Sequence, residues 1–168
     1  MATGFQQTVQ LQQAAAVAGD FASANPRSSF VSHEGTLVAG VGGVTVGRFA
    51  WATGAGVVTN AGSGVPTGFV NRLQGSALIT TYLAETSMVI PQGFEVTLQV
   101  TGDYWVAPIT NPVTVGQKVF ASLTTGEIQG AAAGATVAGY IETAFTITGF
   151  PVGGTGAVGE LVVMSRPA

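Results

Sequence analysis

Apolar and polar positions alternate along this chain in short runs, each bounded by glycine, proline or asparagine. The clearest run is Glu95 to Thr101, where Val96, Leu98 and Val100 fall on one side and Glu95, Thr97, Gln99 and Thr101 on the other. A period of two sends successive side chains to opposite faces of an extended backbone, so this run predicts a half-buried strand. Met88-Val89-Ile90 precedes it across Pro91-Gln92-Gly93. Proline second and glycine fourth suit a type I turn, so residues 86–101 predict a hairpin. Ile141 to Thr148 alternates with Ile141, Phe145 and Ile147 on one face. Val158 to Met164 is apolar on both faces, which predicts an interior strand. Lys118 to Leu123 turns Val119, Ala121 and Leu123 inward, and Thr125-Gly126 then folds the chain toward Glu127-Ile128.

Short strands between dense turn signals predict an all-β sandwich or barrel. Helix signals are weak. Leu11 to Ala18 is Gln/Ala-rich and stops at Gly19, as a short helix with a glycine cap does. Gln74 to Glu85 places Leu78 and Tyr82 four apart, but the β-branched Ile79-Thr80-Thr81 favours a strand. Gly130 to Gly134 reads as a loop rather than a domain boundary. Val44-Thr45-Val46-Gly47-Arg48-Phe49-Ala50 is echoed by Val113-Thr114-Val115-Gly116-Gln117-Lys118-Val119-Phe120-Ala121. The echo reads either as inexpensive composition or as two pseudo-equivalent corners of a sandwich.

Composition narrows the class. The 168 residues suit a single domain. Charged residues are 8% of the chain, against about 25% in ordinary globular domains. With 46% hydrophobic residues, disorder is excluded, because disordered chains are poor in apolar and rich in charged residues. The uncharged part of the stretch from Phe49 to Asn71 carries Asn60, Ser63, Pro66 and several glycines, unlike the roughly 20 predominantly apolar residues of a spanning helix. Gln6, Gln7, Gln10, Gln12 and Gln13 interrupt any apolar leader core, so use without export is the expectation. A net charge of −3 with no cluster of cations argues against nucleic acid and anionic membrane as partners.

The inventory of reactive groups is thin. Cysteine is absent and His33, beside Glu34, is the one histidine. A zinc site needs three or four ligands, and a Ser-His-Asp triad would have to use His33 with Asp20 or Asp103, without a G-x-S-x-G elbow. Gly62-Ser63-Gly64 reads as a flexible turn. Gly40-Val41-Gly42-Gly43-Val44-Thr45 puts Thr45 where the third glycine of a dinucleotide loop belongs, and the sole lysine, Lys118, follows Gln117 and so fits no phosphate loop. The eight acids are scattered singly, so solvated surface carboxylates are expected rather than a glycosidase pair. No catalytic residue, cofactor or metal ligand is assigned, and the chain reads as no enzyme. Trp51, Tyr104 and Trp105 could form a sugar-stacking patch, but Phe49 with Trp51, and Tyr104 with Trp105, read better as aromatic strands entering a core.

Thirteen charged side chains cannot give a free monomer the roughly 25–35% ionised surface it ordinarily carries. Much of the surface is therefore expected to be covered by other protein. Small or stiff Val, Thr, Ala and Gly side chains suit that, having few rotamers to freeze.

The strings themselves add to this. Ala16-Val17-Ala18-Gly19-Asp20-Phe21-Ala22-Ser23-Ala24-Asn25-Pro26-Arg27, Val44 to Ala52, Pro66 to Arg72, Ala77 to Glu85, Met88 to Pro91, Gly102 to Val106 and Thr114 to Ala121 together resemble the structural cement (decoration) proteins of tailed bacteriophages, over about residues 4–126. The resemblance implies an antiparallel β-sandwich of jelly-roll type on the outside of the phage head, bridging neighbouring major capsid protein subunits. It implies a small homo-oligomer, with the homo-dimer favoured over a trimer, and a virion assembled in the host cytoplasm. Residues 1–13 are then read as an extended N-terminal arm and 14–168 as one β-sandwich domain. Phe5, Val9 and Leu11 of the arm, with Arg27, Arg48 and Arg72, are the candidates for capsid or inter-subunit contact. A carbohydrate-binding β-sandwich module on a virion surface is the alternative.

Overall fold

A computed structural model describes residues 16–32, 35–72 and 88–168. Every regular element among them is a strand. They are β1 (Ser28–Ser29), β2 (Val38–Ala39), β3 (Val44–Thr45), β4 (Phe49–Ala52), β5 (Val57–Thr59), β6 (Gly68–Val70), β7 (Val89–Ile90), β8 (Leu98–Val106), β9 (Lys118–Ser122), β10 (Ile128–Ala131), β11 (Tyr140–Gly149) and β12 (Val162–Arg166). Ten of these join in one large mixed sheet of order β10-β9-β11-β12-β8-β6-β4-β5-β2, with β1 added to β8, and β3 and β7 form a separate ribbon. All pairs are antiparallel except β2 with β5.

Two apolar cores lie against opposite faces of the same strands. Phe49 and Trp51 of β4, Phe69 of β6 and Tyr104 and Val106 of β8 enter the first, with Val119, Ala121, Phe145, Ile147, Val162 and Met164. Ala50, Val70 and Leu98 enter the second, with Leu37, Ala39, Val58, Val96 and the ribbon residues Val44 and Ile90. Alternation decides which side chain goes where in β4 and β6; in β8, Leu98 and Tyr104 share a parity yet enter different cores, with Gly102 at φ +118° between them. Burial of both faces is why Phe49-Ala50-Trp51 and Gly68-Phe69-Val70 are continuously buried. Aromatic rings knit the first core: Phe69 lies 5.0 Å from Tyr104, and Phe49 lies 5.6 Å from Phe145, edge to face.

The sheet curls until distant strands meet. Val38 bridges Glu95, just ahead of β8, Ala39 N–H donates to the Phe94 carbonyl and Val96 N–H to the Leu37 carbonyl, each at 2.9 Å. That ties β2, the end of the strand order, back to β8 and encloses the second core. On the other side the β9–β10 turn reaches β4, where Phe49 N–H donates to the Gly126 carbonyl at 2.9 Å, and Gly62 N–H donates to the Leu123 carbonyl at 2.9 Å.

Several expectations meet this fold directly. β12 lies between β11 and β8 as an interior strand, though it starts at Val162 because Gly159 and Glu160 belong to the preceding turn. β11 carries Phe145 and Ile147 into the core, and β9 turns through Thr125-Gly126 into β10. The two echoed segments are alike in part: Val44–Thr45 forms a strand where Val113–Thr114 does not, and Val46 is buried where Val115 is exposed. Val44 and Val113 are buried. Gly47 and Gly116 both have positive φ, and each donates its N–H to a strand that pairs with the strand it introduces, Gly47 to Val70 and Gly116 to Ile147, both at 2.8 Å.

Others are corrected. Among the described residues, the hairpin expected over 86–101 does not form: β7 pairs with β3, whereas β8 pairs with β1, β6 and β12. The turn is also displaced by one residue. Phe94 N–H donates to the Pro91 carbonyl at 3.2 Å and Gly93 has φ +83°, which puts glycine third, as a type II turn requires. No helix includes Ala16 to Ala18, which are irregular or in a turn; residues 11–15 of that expected helix, and the whole expected strand 74–85, lie outside the described residues. Gly130 and Ala131 belong to β10 rather than to a loop. Gly62 to Gly64 is a fitted lid. Gly62 packs flat against the Trp51 indole, where a Cβ would collide with the ring, and Trp51 Nε1–H donates to the Gly64 carbonyl at 3.0 Å.

Candidate functional site

Residues 16–32 run as a strip along β8. Gly19 N–H donates to the Trp105 carbonyl at 2.7 Å, Trp105 N–H to the Asp20 carbonyl at 2.9 Å, and Ala22 N–H to the Asp103 carbonyl at 2.9 Å. β1 continues the strip opposite Thr101 and Gln99. Gly19 has φ +96°, and a Cβ there would lie 2.7 Å from Val46 Cγ1. Only glycine lets the strip pass the corner at Val46-Gly47.

Charges pin this strip and the turns around it. Arg72 grips Asp20 with two bonds, Nε to Oδ1 at 2.7 Å and Nη2 to Oδ2 at 3.2 Å. The Arg72 hydrogen bond outweighs partial burial and holds the Asp20 carboxyl below its usual range, with help from Val17 N–H. Arg48 pairs with Glu127 at 3.0 Å, fastening β4 to the β9–β10 turn. Arg27 lies over the Phe21 ring, 3.9 Å from its centroid. Burial works to raise the pKa of Asp103, but hydrogen bonds from Ser23, Ser165 and Asn25 together leave it lowered.

Two of the described carboxylates expected to stand solvated and alone, Glu142 and Glu160, are instead tied to loops. Glu142 accepts the Gly134 N–H at 2.7 Å. Glu160 accepts the N–H of Thr155 at 2.9 Å and of Ala157 at 3.2 Å, and the Thr155 hydroxyl at 3.1 Å. Glycine-rich turns supply no side-chain acceptors of their own, so their backbone donors draw in the few carboxylates available. Nothing in the local sequence marks this.

Of the six candidate contact residues, Arg48 and Arg72 thus sit in internal ion pairs with side chains about 30% exposed, and Arg27 is exposed on the strip. The structure does not bring these three into one patch by any bond between them. Phe5, Val9 and Leu11 lie outside the described residues, as does His33 with Glu34.

Two of the three rings of the sugar-stacking alternative are withdrawn from the surface. Tyr104 is 0% exposed and donates to the Thr101 carbonyl at 2.7 Å, and Trp51 is 7% exposed beneath Gly62. Trp105 is half-buried. An open groove of about 280 Å³ runs past Asn25, Pro26, Asp103, Ser165 and Arg166, at the lower limit of ordinary ligand sites. Among the described residues no group of three His, Cys, Asp or Glu side chains could hold a metal ion, and no helix is long and apolar enough to cross a membrane.

What these features define is a β-structural domain whose charges fasten its own turns. A chain in the capsid of Myoviridae Phage XM1 has the same fold, with a TM-score of 0.64 and 17% sequence identity, covering 99% of this chain and 98% of that one. No curated protein matches. The XM1 gp53 minor capsid protein family matches residues 5–166. The chain belongs to that family and is a phage capsid-associated protein with a structural role in the virion.

Proposed function

We propose that this protein is a cement protein: it binds the outer surface of the mature head and bridges neighbouring major capsid protein subunits, without catalysis. The observation that carries the reading is the fate of its charges. The chain has only 13 ionised side chains, and Arg48, Arg72, Asp20 and Glu127 are spent on one another. An exterior left so poor in free charge suits close packing against protein, where each unpaired charge carries a desolvation penalty. Attachment to several subunits at once raises effective concentration, so individually weak contacts add to a firm hold on the shell. A small homo-oligomer, with a dimer preferred to a trimer, and a jelly-roll relation between the two cores belong to the same proposal. So does the N-terminal arm, residues 1–13, with Phe5, Val9 and Leu11, as a strand added to a neighbour's sheet; its motive is the alternation through Thr8-Val9-Gln10-Leu11.

The test is an add-back experiment. Heads of the encoding phage, grown with this gene deleted, are mixed with purified protein, sedimented and imaged by cryo-electron microscopy. Density on the outer surface at junctions between major capsid protein subunits is expected. Density inside the shell, or none, sinks the proposal. Removal of residues 2–13 is expected to reduce occupancy, and unchanged occupancy removes the arm from it.

A further inference from the structure

The large sheet is split where β12 ends. β12 lies between β11 and β8 and stops at Arg166, opposite Gly102 of β8. Toward its N-terminus β8 is next paired by β6, at Gln99 and Leu98, so Val100 and Thr101 face neither strand. β11 runs past the end of β12: Thr146 pairs with Ser165, and Phe145, Ala144 and Thr143 have no partner in it. No ladder joins β11 to β6 across this split. The last residues of the chain do not fill it, because Pro167 and Ala168 line the groove beside Asn25 and Pro26 instead.

A cavity of about 40 Å³ lies in the split, bordered by Phe49 and Phe145 of the first core and by Thr67, Gly68, Val100 and Ala144. It has room for about three or four water-sized groups, the bulk of one leucine side chain. Its lining makes no polar demand on an occupant. Gln99 and Thr143 also border it, but Gln99 donates to Asn71 and accepts from the Tyr104 hydroxyl, and the Thr143 hydroxyl donates to the Val119 carbonyl. Arg166 is the one ionisable side chain among the described residues that line the cavity. It is half-buried, so its stem can cover apolar surface while its head keeps contact with water.

We infer that this cavity takes Leu11 from the N-terminal arm of a second copy of the chain. The inference rests on the reading of the arm as a strand added to a neighbour, and it names where the arm lands. Val9 and Leu11 share one side of the alternating run Thr8-Val9-Gln10-Leu11, and Leu11 has the bulk the cavity holds. A copy's own arm is badly placed to fill it. Ala16 heads the strip whose Gly19 bonds to Trp105, on the edge of β8 away from β12. The cavity lies by Val100 on the β12 side, roughly 17 Å further along β8. Leu11 is five residues ahead of Ala16 and reaches about 18 Å when fully extended, with nothing left to cross β8. An arm from a neighbour has no such limit, and reciprocal exchange between two copies closes a two-fold dimer.

The chain has no cysteine, so single thiols can be placed cleanly. Q10C, next to Leu11 on the other side of the run, and A144C, on the exposed rim of the cavity, are purified separately, mixed and joined with a short bis-maleimide. The control partner is V152C, exposed on a loop that does not border the cavity. Linked Q10C–A144C dimers are expected at least tenfold above Q10C–V152C dimers, and adding L11D to the Q10C copy is expected to abolish the difference. In sedimentation equilibrium the wild type is expected to be dimeric and L11D monomeric, with unchanged thermal stability. The milder L11A is expected to fall between them and guards against misfolding of the charged variant. Equal linkage to A144C and V152C, linkage only within one chain in the Q10C/A144C double variant, or a monomeric wild type overturns the inference. None of these outcomes touches the cement reading, which stands or falls on binding to the gene-deleted heads.

Discussion

Phe49 and Gly126 hold the curled sheet together where no strand pairing joins them. The Phe49 N–H donates to the Gly126 carbonyl at 2.9 Å, and the Gly126 α-carbon lies so close to the Phe49 carbonyl that a side chain there would collide with backbone. Gly126 also has φ +67°, a conformation costly for any residue with a Cβ. Gly126→Ala therefore combines strain with collision, and the three atoms it meets, in Phe49 and Asn60, are all backbone. A loss of about 2–4 kcal/mol is expected in chemical denaturation. A loss below about 0.5 kcal/mol would mean the turn and β4 are not locked together.

The Asp20–Arg72 pair gives a stability signature in acid. The folded Asp20 carboxyl titrates below its model value of 3.8, so the pair's contribution is full above that value and fades as pH falls through the folded pKa. Asp20→Asn is expected to lower stability by about 1 kcal/mol at neutral pH, a modest figure because both side chains keep some solvent contact. Below the lowered folded pKa the variant and wild type converge. A difference that persists unchanged in strong acid would assign the effect to packing instead.

Tyr104 gives a signature in alkali. Burial, ahead of the smaller and opposed influences of Arg27 and Asp103, pushes its hydroxyl up to about 12. The raised value means the fold favours the protonated ring. This stabilisation is complete below the unfolded value near 10 and is lost as pH rises through that of the folded state. In a spectrophotometric titration, one of the three tyrosines should ionise only with unfolding. Tyr104→Phe should abolish that late step and lower stability by about 1 kcal/mol, through loss of the bond to the Thr101 carbonyl. Three tyrosines titrating together near pH 10 in folded protein would contradict the burial.

Gly62→Ala tests the lid on Trp51. A methyl group at this position would run into the indole, so the ring must tilt and its bond to Gly64 must weaken. Tryptophan emission is expected to shift to the red and stability to fall by about 1–3 kcal/mol. Unaltered emission would return 62–64 to a pliable turn.

How much of this could be read along the chain differs by element. The alternation in Glu95 to Thr101 holds for Val96 and Leu98, which are buried together, but not beyond them: Gln99 and Thr101, expected on the outer face, are buried and Val100 is only half-buried, because β8 is covered on both faces. The hairpin inferred beside it fails because pairing depends on which edges meet. β7 found β3 and left β8 to β6 and β12. Similarly, Arg48 and Glu127 give no sign of each other in sequence, since β4 and the β9–β10 turn become neighbours only after the sheet curls.

Residue order by itself determined that this is an all-β chain of short strands with too few charges to coat it, because periodicity, turn chemistry and composition are local or summed properties. Tertiary structure alone decided that one sheet would serve two cores and that Glu142 and Glu160 would brace loops. Those outcomes depend on contacts between segments far apart in sequence, and a Val/Thr/Gly-rich chain carries little that distinguishes one strand edge from another until the cores close.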